Sequence, residues 1–231
     1  MSAFSNWMLA CFFYATASPA FAQTPDSRLA AGLQDNSFLI EEAYNQERGV
    51  VQHILSLRRQ GRDTFLGFTQ EWPIGSQLHQ FSYTIPYSWL RGEGQRANGF
   101  SDAMLNYRYQ ALSETNSTPA FAPRISFIIP TGNASMNLGV GSAGLQLNLP
   151  FSKIISNNVT LHFNAGMTSY FDVRGRRPNS YSIGGSAVYA FTREFNILLE
   201  TVAEWNESVT ETSAIQRDFT FTVSPGLRYA F

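Results

Sequence analysis

The stretch Ala103-Met104-Leu105-Asn106-Tyr107-Arg108-Tyr109-Gln110-Ala111 decides the fold. Its odd positions are apolar and its even positions mostly polar. In an extended strand a period of two separates these sets onto opposite faces, one apolar and one polar. Residues 159–171 repeat the pattern, with Val159, Leu161, Phe163, Ala165, Met167 and Phe171 set against Thr160, His162, Asn164, Thr168 and Tyr170. Residues 219–231 do the same, with Phe219, Phe221, Val223, Leu227, Tyr229 and Phe231 against Thr220, Thr222, Ser224 and Arg228.

Outward from these three stretches, the alternation divides the chain into ten segments: 48–58, 63–72, 78–90, 99–112, 119–131, 138–150, 159–172, 180–192, 194–206 and 217–231. A tilted strand crossing a bilayer needs about ten residues, whereas strands in soluble sheets average about 5–6. The expected fold is therefore all-β, an antiparallel transmembrane β-barrel of about ten strands. Phe121, Ile125, Phe127, Leu145, Leu147, Phe163, Ile197, Leu199 and Phe221 are expected to face lipid. The connections alternate between a longer set (near 61, 92–99, 131–138, 173–179 and 207–216) and a shorter set (73–77, 113–118, 152–158 and 192–193). Long loops outside and short turns in the periplasm are usual for such barrels, so both termini are expected in the periplasm. Aromatic residues cluster at the strand ends in two groups. Tyr87, Trp89, Phe171, Tyr181, Trp205 and Phe219 fall on the loop side; Trp72, Tyr107, Tyr109, Tyr189, Phe191, Phe195, Tyr229 and Phe231 fall on the turn side. Two such belts are the expected anchors at the membrane interfaces. Leu227, Tyr229 and Phe231 form an outward stripe ending in Phe, an expected assembly signal for the barrel-assembly machinery.

Composition agrees. Of 231 residues, 14% are charged and 14% aromatic, which argues against disorder. A net charge of −1 gives no global case for nucleic acid. Mean hydropathy is −0.16, too polar for a bundle of membrane helices, and the chain after residue 22 has no apolar run of about 20 residues. Fifteen of the sixteen basic residues are Arg; the other is Lys153. Residues 1–22 carry no charge, hold a short apolar run and end in Ala20-Phe21-Ala22 before Gln23, which reads as a cleaved signal peptide. Cys11 is the only cysteine and lies inside that run. The mature chain therefore has no thiol for a disulfide, a nucleophile or a metal site.

The stretches Phe38-Leu-Ile-Glu-Glu-Ala-Tyr-Asn-Gln-Glu-Arg-Gly-Val-Val-Gln-His-Ile54, Gly99-Phe-Ser-Asp-Ala-Met-Leu-Asn-Tyr-Arg-Tyr-Gln110, Pro123-Arg-Ile-Ser-Phe-Ile-Ile-Pro-Thr-Gly132 and Gly139-Val-Gly-Ser-Ala-Gly-Leu-Gln-Leu-Asn-Leu-Pro150 resemble the bacterial outer-membrane family labelled "MetA-pathway of phenol degradation". Ser224-Pro-Gly-Leu-Arg-Tyr-Ala-Phe231 fits the same family. The resemblance implies an outer-membrane barrel admitting aromatic or other small apolar compounds, and it carries no catalytic residues. It also implies a further hairpin in relatives, which makes twelve strands the alternative count.

Gly139-Val-Gly-Ser-Ala-Gly144 fits G-x-G-x-x-G, but an alternating strand follows it and not the helix a dinucleotide site requires. The expected reading is small residues that bend a strand or clear lumen space. His53, His79 and His162 lack metal-ligand spacing. No metal and no cofactor is expected. His162, facing the lumen with Asn164 two residues on, is expected to be a hydrogen-bonded interior histidine, and no enzymatic activity is expected. Alternation places Glu71, Asp102, Arg108, Arg124, Glu200, Glu204, Asp218 and Arg228 inside with His162, as a lumen polar network. A hairpin symmetric about Asn116 sets Arg108 directly opposite Arg124, and two adjacent cations repel unless an anion sits nearby. Glu200 and Glu204, on roughly the opposite wall, are the expected anions of a salt-bridged lock, the alternative being a site for an anion or for a polar group of a substrate. Residues 23–47 are less regular. Phe38-Leu39-Ile40 with Glu41 and Glu42 allows a short strand, a periplasmic tail or a segment folded into the lumen, and the tail is the default expectation. Residues 48–231 are the barrel. Arg58, Arg59, Arg62, Arg91, Arg96, Arg174, Arg176 and Arg177 fall in outer loops, suited to anionic outer-leaflet lipid, to anionic solutes or to plain solvation.

The function expected from these readings is a passive outer-membrane channel for small apolar or aromatic molecules. The alternatives are a closed structural or surface-interaction barrel and, third, a barrel hydrolase. Ten strands are close to the eight that side chains can fill, so a wide diffusion pore is disfavoured.

Overall fold

A computed structural model describes residues 8–17 (backbone course only), 38–92 and 96–229. The described strands join in one antiparallel sheet: β1 (Met8–Ala17), β2 (Val51–Gln60), β3 (Asp63–Ile74), β4 (Ser76–Leu90), β5 (Ala97–Phe100), β6 (Ala103–Tyr109), β7 (Ala120–Phe121), β8 (Arg124–Ile129), β9 (Gly144–Ile154), β10 (Val159–Tyr170), β11 (Asn179–Ala190), β12 (Phe195–Val209) and β13 (Ile215–Tyr229). Each long strand pairs with the next in sequence, while β5 attaches to β4 and β7 to β9. From β2 onward this is a ten-stranded meander, with β5–β6 and β7–β8 each one broken strand. The second break falls at Pro123, which has no N–H to give to a ladder. β1 runs beside β2, with Met8 opposite Gln60 and Ala17 opposite Val51. The sequence reads this stretch as a leader; its removal would leave β2 at the edge.

Turn chemistry sets the hairpin registers. Gln60 pairs with Asp63 across Gly61-Arg62. Gly61 has φ +59 and Arg62 is not among the positive-φ residues. That is the type II′ pattern, whose twist matches that of the strands it joins. The expected strand at 138–150 is corrected. The strand starts at Gly144 and runs on to Ile154. Residues 133–143 instead form a loop, with Asn133 capping a 3-10 turn (Ala134–Met136) through the Ser135 N–H.

The two faces are inverted relative to a soluble protein. Ile125, Phe127, Leu145, Leu147, Phe163, Ile197, Leu199 and Phe221 are all exposed, and Phe121 is half-buried. The most completely buried side chains include Gln52, Asn196, Thr160, Ser126, Ser152 and Glu200. Outward rings meet in pairs at both ends of the sheet. On the turn side are Trp72–Phe81 at 5.6 Å, Phe121–Phe151 at 4.3 Å and Tyr189–Phe191 at 4.9 Å. On the loop side are Tyr87–Trp89 at 4.6 Å and Trp205–Phe219 at 5.2 Å.

Residues 38–46 lie inside the curl of the sheet, so the default expectation of a periplasmic tail is wrong for them. The rest of the segment 23–37 lies outside the described residues. This short stretch is bonded to strands from β4 round to β12, as detailed below, and it can be so only if the sheet wraps around it. Phe38 packs on Ile154, Val188, Ala190 and Leu198, and Tyr44 on Ala43, Ala120 and Ala122. Room is made by glycine: a Cβ at Gly184 would lie 2.6 Å from Ile40 Cδ1, and one at Gly226 would run into the Phe38 ring.

Candidate functional site

The lumen segment has irregular backbone, which leaves its N–H and C=O groups without strand or helix partners. Buried groups of this kind must be satisfied by something else, and here polar side chains of the wall do it. The Glu200 carboxylate accepts the N–H of Phe38 at 3.0 Å, Leu39 at 3.0 Å and Ile40 at 3.1 Å. Asn164 accepts the Glu41 N–H at 3.0 Å and donates to the Glu41 carbonyl at 2.6 Å. Ser152 Oγ accepts the Ala43 N–H at 2.8 Å. Gln110 accepts the Asn45 N–H at 2.9 Å and donates to the Ala43 carbonyl at 2.8 Å. Gln80 accepts the Gln46 N–H at 2.7 Å, and Gln77 donates to the Asn45 carbonyl at 3.0 Å. Arg108 donates to the carbonyls of Glu42 at 3.2 Å and Tyr44 at 2.6 Å. Gln46 also donates to Gln52. The polar lumen wall is thus complementary to one particular piece of chain.

Arg108 and Arg124 stand directly opposite each other on β6 and β8, as the hairpin symmetry requires. The anion between them is Glu41, not Glu200 or Glu204, and the expected lock is corrected accordingly. Arg124 Nε donates to Glu41 Oε2 at 2.8 Å and Arg108 Nη1 to Glu41 Oε1 at 3.2 Å. Asn148 Nδ2 donates to Oε2 at 2.6 Å. Arg124 also reaches Asn106, Ser126 and Gln146, and Arg108 reaches Asn45 Oδ1 at 2.7 Å. Glu41 belongs to the lumen segment and not to a spanning strand. Burial pushes its pKa up, but the Arg124 and Arg108 guanidinia and the Asn148 amide outweigh burial and hold it below its ordinary 4.5.

The other sequence-predicted residues have separate tasks. Glu71 accepts from Gln80 at 2.8 Å. Asp102 accepts the N–H groups of Gly132 at 3.0 Å and Val140 at 2.7 Å, so it ties down the loop 133–143. Glu204 faces Arg58 and lines the cavities described below. Asp218 is exposed and accepts from Gln216 at 3.2 Å. Arg228 is half-buried opposite Asn196. Leu227 and Tyr229 point outward and are exposed; Phe231 lies outside the described residues. His162 Nδ1 lies 2.7 Å from Ser152 Oγ, with Nε2 3.9 Å from Glu42 Oε1. This places serine, histidine and carboxylate in a row, but Ser152 and His162 are 1% and 3% exposed and the serine oxygen already holds the Ala43 N–H. G-x-G-x-x-G at 139–144 leads from the loop into a strand, as expected.

Sequence reasoning missed the wall residues Asn148, Ser152, Gln80 and Gln110, and also Glu114. Glu114 accepts from Tyr44 Oη at 2.7 Å and Lys153 Nζ at 3.1 Å, joining the lumen segment to a turn. The available signal was a pair of facing arginines in need of an anion, together with the carboxylates Glu41 and Glu42 next to the apolar run Phe38-Leu39-Ile40.

Between the lumen segment and the loop end lie two cavities. One of about 460 Å³ is lined by Glu41, Arg108, Arg124, Asn148, Glu71 and Glu204 among others. The second, of about 1020 Å³, is bounded by Phe38, Leu39, Arg58, Asp102, Leu138 and Glu204 among others.

An antiparallel sheet curled round a polar interior, with an apolar exterior between two aromatic girdles, has the pattern of an outer-membrane β-barrel. The chain belongs to the family described as "MetA-pathway of phenol degradation", which it matches over residues 45–231. That span takes in β2 to β13 and begins after Glu41, whose carboxylate clasps the arginine pair. No curated protein matches the sequence.

Proposed function

We propose that the protein is an outer-membrane barrel for passive passage of small apolar or aromatic molecules, with residues 38–46 as the floor that limits passage. The observation that carries this reading is the lumen itself: two cavities lie between a single chain segment and the loop end. Cavities of about 300–1,000 Å³ suit small organic ligands. The family's description, naming phenol degradation, favours aromatic cargo. In this reading residues 1–22 are removed on export, the turn side faces the periplasm, outer-membrane lipid covers the apolar face, and the barrel-assembly machinery inserts the chain. In this reading the protein also acts without catalysis; Ser152 and His162 are buried and the serine oxygen holds the Ala43 N–H.

The test is flux of benzyl alcohol into proteoliposomes holding the wild-type chain or a chain with residues 38–46 replaced by a Gly-Ser linker. The expected outcome is measurable wild-type flux that rises on replacement. Flux equal to that of empty vesicles in both would sink the channel. The second reading, a closed structural barrel, is favoured by the completeness with which the wall satisfies the segment's backbone, and it predicts that latter result.

A further inference from the structure

We infer that Arg108, Arg124 and Asn148 form a carboxylate-binding site of the lumen, with Glu41 as its resident occupant, and that the molecules admitted include small apolar or aromatic carboxylates that compete with it. This rests on the channel reading and narrows its substrate class.

Glu41 brings only the carboxylate. The three donors, at 2.6–3.2 Å, come from the strands β6, β8 and β9. Two cations in direct register on neighbouring strands repel each other without an anion, so the wall is built for one whether or not Glu41 supplies it. Asn106, Ser126 and Gln146 hold the Arg124 guanidinium from the wall alone, at 2.6–3.1 Å. Its aim therefore does not depend on the lumen segment. Planar guanidinium forks suit carboxylates, which they grip through paired N–H donors. The same residues line the cavity of about 460 Å³, so a solute held in that cavity meets the site directly. Phe38 and Tyr44 line that cavity too and offer apolar surface for the remainder of the solute. A free carboxylate that takes the Glu41 position also removes the Glu41 clasp on the lumen segment, leaving it held by Glu200, Asn164, Ser152, Gln110 and Gln80. Binding and loosening of the floor are therefore linked.

The test is titration of the detergent-solubilised full chain with benzoate, using benzyl alcohol as the uncharged control. The variants are Glu41→Ala and the double variant Glu41→Ala/Arg124→Gln. An occupied site lowers apparent affinity by the fraction of time it stands open, so Glu41→Ala should bind benzoate about tenfold tighter than wild type. Benzyl alcohol should show no such gain, and the double variant should lose it. Absence of saturable benzoate binding to folded Glu41→Ala overturns the inference, as does equal binding of benzyl alcohol. Should Glu41→Ala not fold by itself, benzoate present during refolding is expected to restore it, and failure of that rescue also overturns the inference. Benzyl alcohol flux, measured separately, tests the channel: flux without benzoate binding removes this site and leaves the channel, and binding without flux does the reverse.

Discussion

At the residue scale, two carboxylates act in opposite directions across one boundary. Glu200 reaches from the wall to three backbone N–H groups of the lumen segment, and Glu41 reaches from the segment to two arginines of the wall. Hydrogen bonds to a charged group contribute about 1.5–3 kcal/mol. Glu200→Gln keeps the shape and loses the charge, so it should lower barrel stability by about that much and raise small-solute flux. The effect arises through residues 38–40 and not through the arginines. Glu204→Gln, by contrast, should stay within about 0.5 kcal/mol of wild type, since no such clasp depends on it. Urea midpoints in detergent compare the two. For Glu41 the folded pKa lies below its ordinary 4.5. The carboxylate therefore contributes stability in full above about pH 4.5, and loses that contribution as pH falls through its depressed folded value. Flux through wild type should rise on acidification below about pH 4.5, and Glu41→Gln should show no such rise. An acid response of Glu41→Gln equal to that of wild type would rule out Glu41 as a clasp of the floor.

At the element scale, the strands have an apolar outer face and a polar lumen face, and each has its own rule. Leu147, near the middle of β9, is 44% exposed on the apolar exterior. Leu147→Arg should cost about 2–4 kcal/mol, the range for a cation near the midplane of a barrel. On the lumen face of β13, Gly226 leaves space for the Phe38 ring and Leu198. Gly226→Val overpacks that contact and should cost about 1–3 kcal/mol. Phe38→Ala in the same chain should recover part of it, as a double-mutant cycle of unfolding midpoints would show. Strand positions were legible in the sequence because a two-residue period survives any tilt or twist. Strand ends were less so. The apparent start of β9 at residue 138 fell inside a loop, because Asp102, some thirty residues earlier, takes the N–H groups of Gly132 and Val140.

At the scale of the whole molecule, the sheet curls but has edges. Among the described residues β13 is laddered to β12 and to no other strand. An unpaired backbone edge in hydrocarbon costs several kcal/mol per group, so in a bilayer β13 is expected to pair with the strand at the other end of the sheet. Hydrogen exchange in lipid vesicles should then show slow amides on both sides of β13. Fast exchange on alternate amides would mean an open edge, and with it the failure of the membrane-spanning reading.

The sequence by itself determined that the chain is a meander of ten long strands from β2 to β13, which face of each strand is apolar, and that Arg108 meets Arg124. Each of these follows from local periodicity and from hairpin symmetry, which neighbouring residues suffice to define. Which anion answers the two arginines was decided only in three dimensions. Glu41 lies 67 residues from Arg108 and 83 from Arg124. It reaches them on a segment with no period of its own, held in place by side chains of Glu200, Asn164, Ser152, Gln110 and Gln80. A stretch whose backbone is satisfied by distant side chains leaves no periodic trace in its own sequence, so its place in the lumen emerges only when the sheet has curled around it.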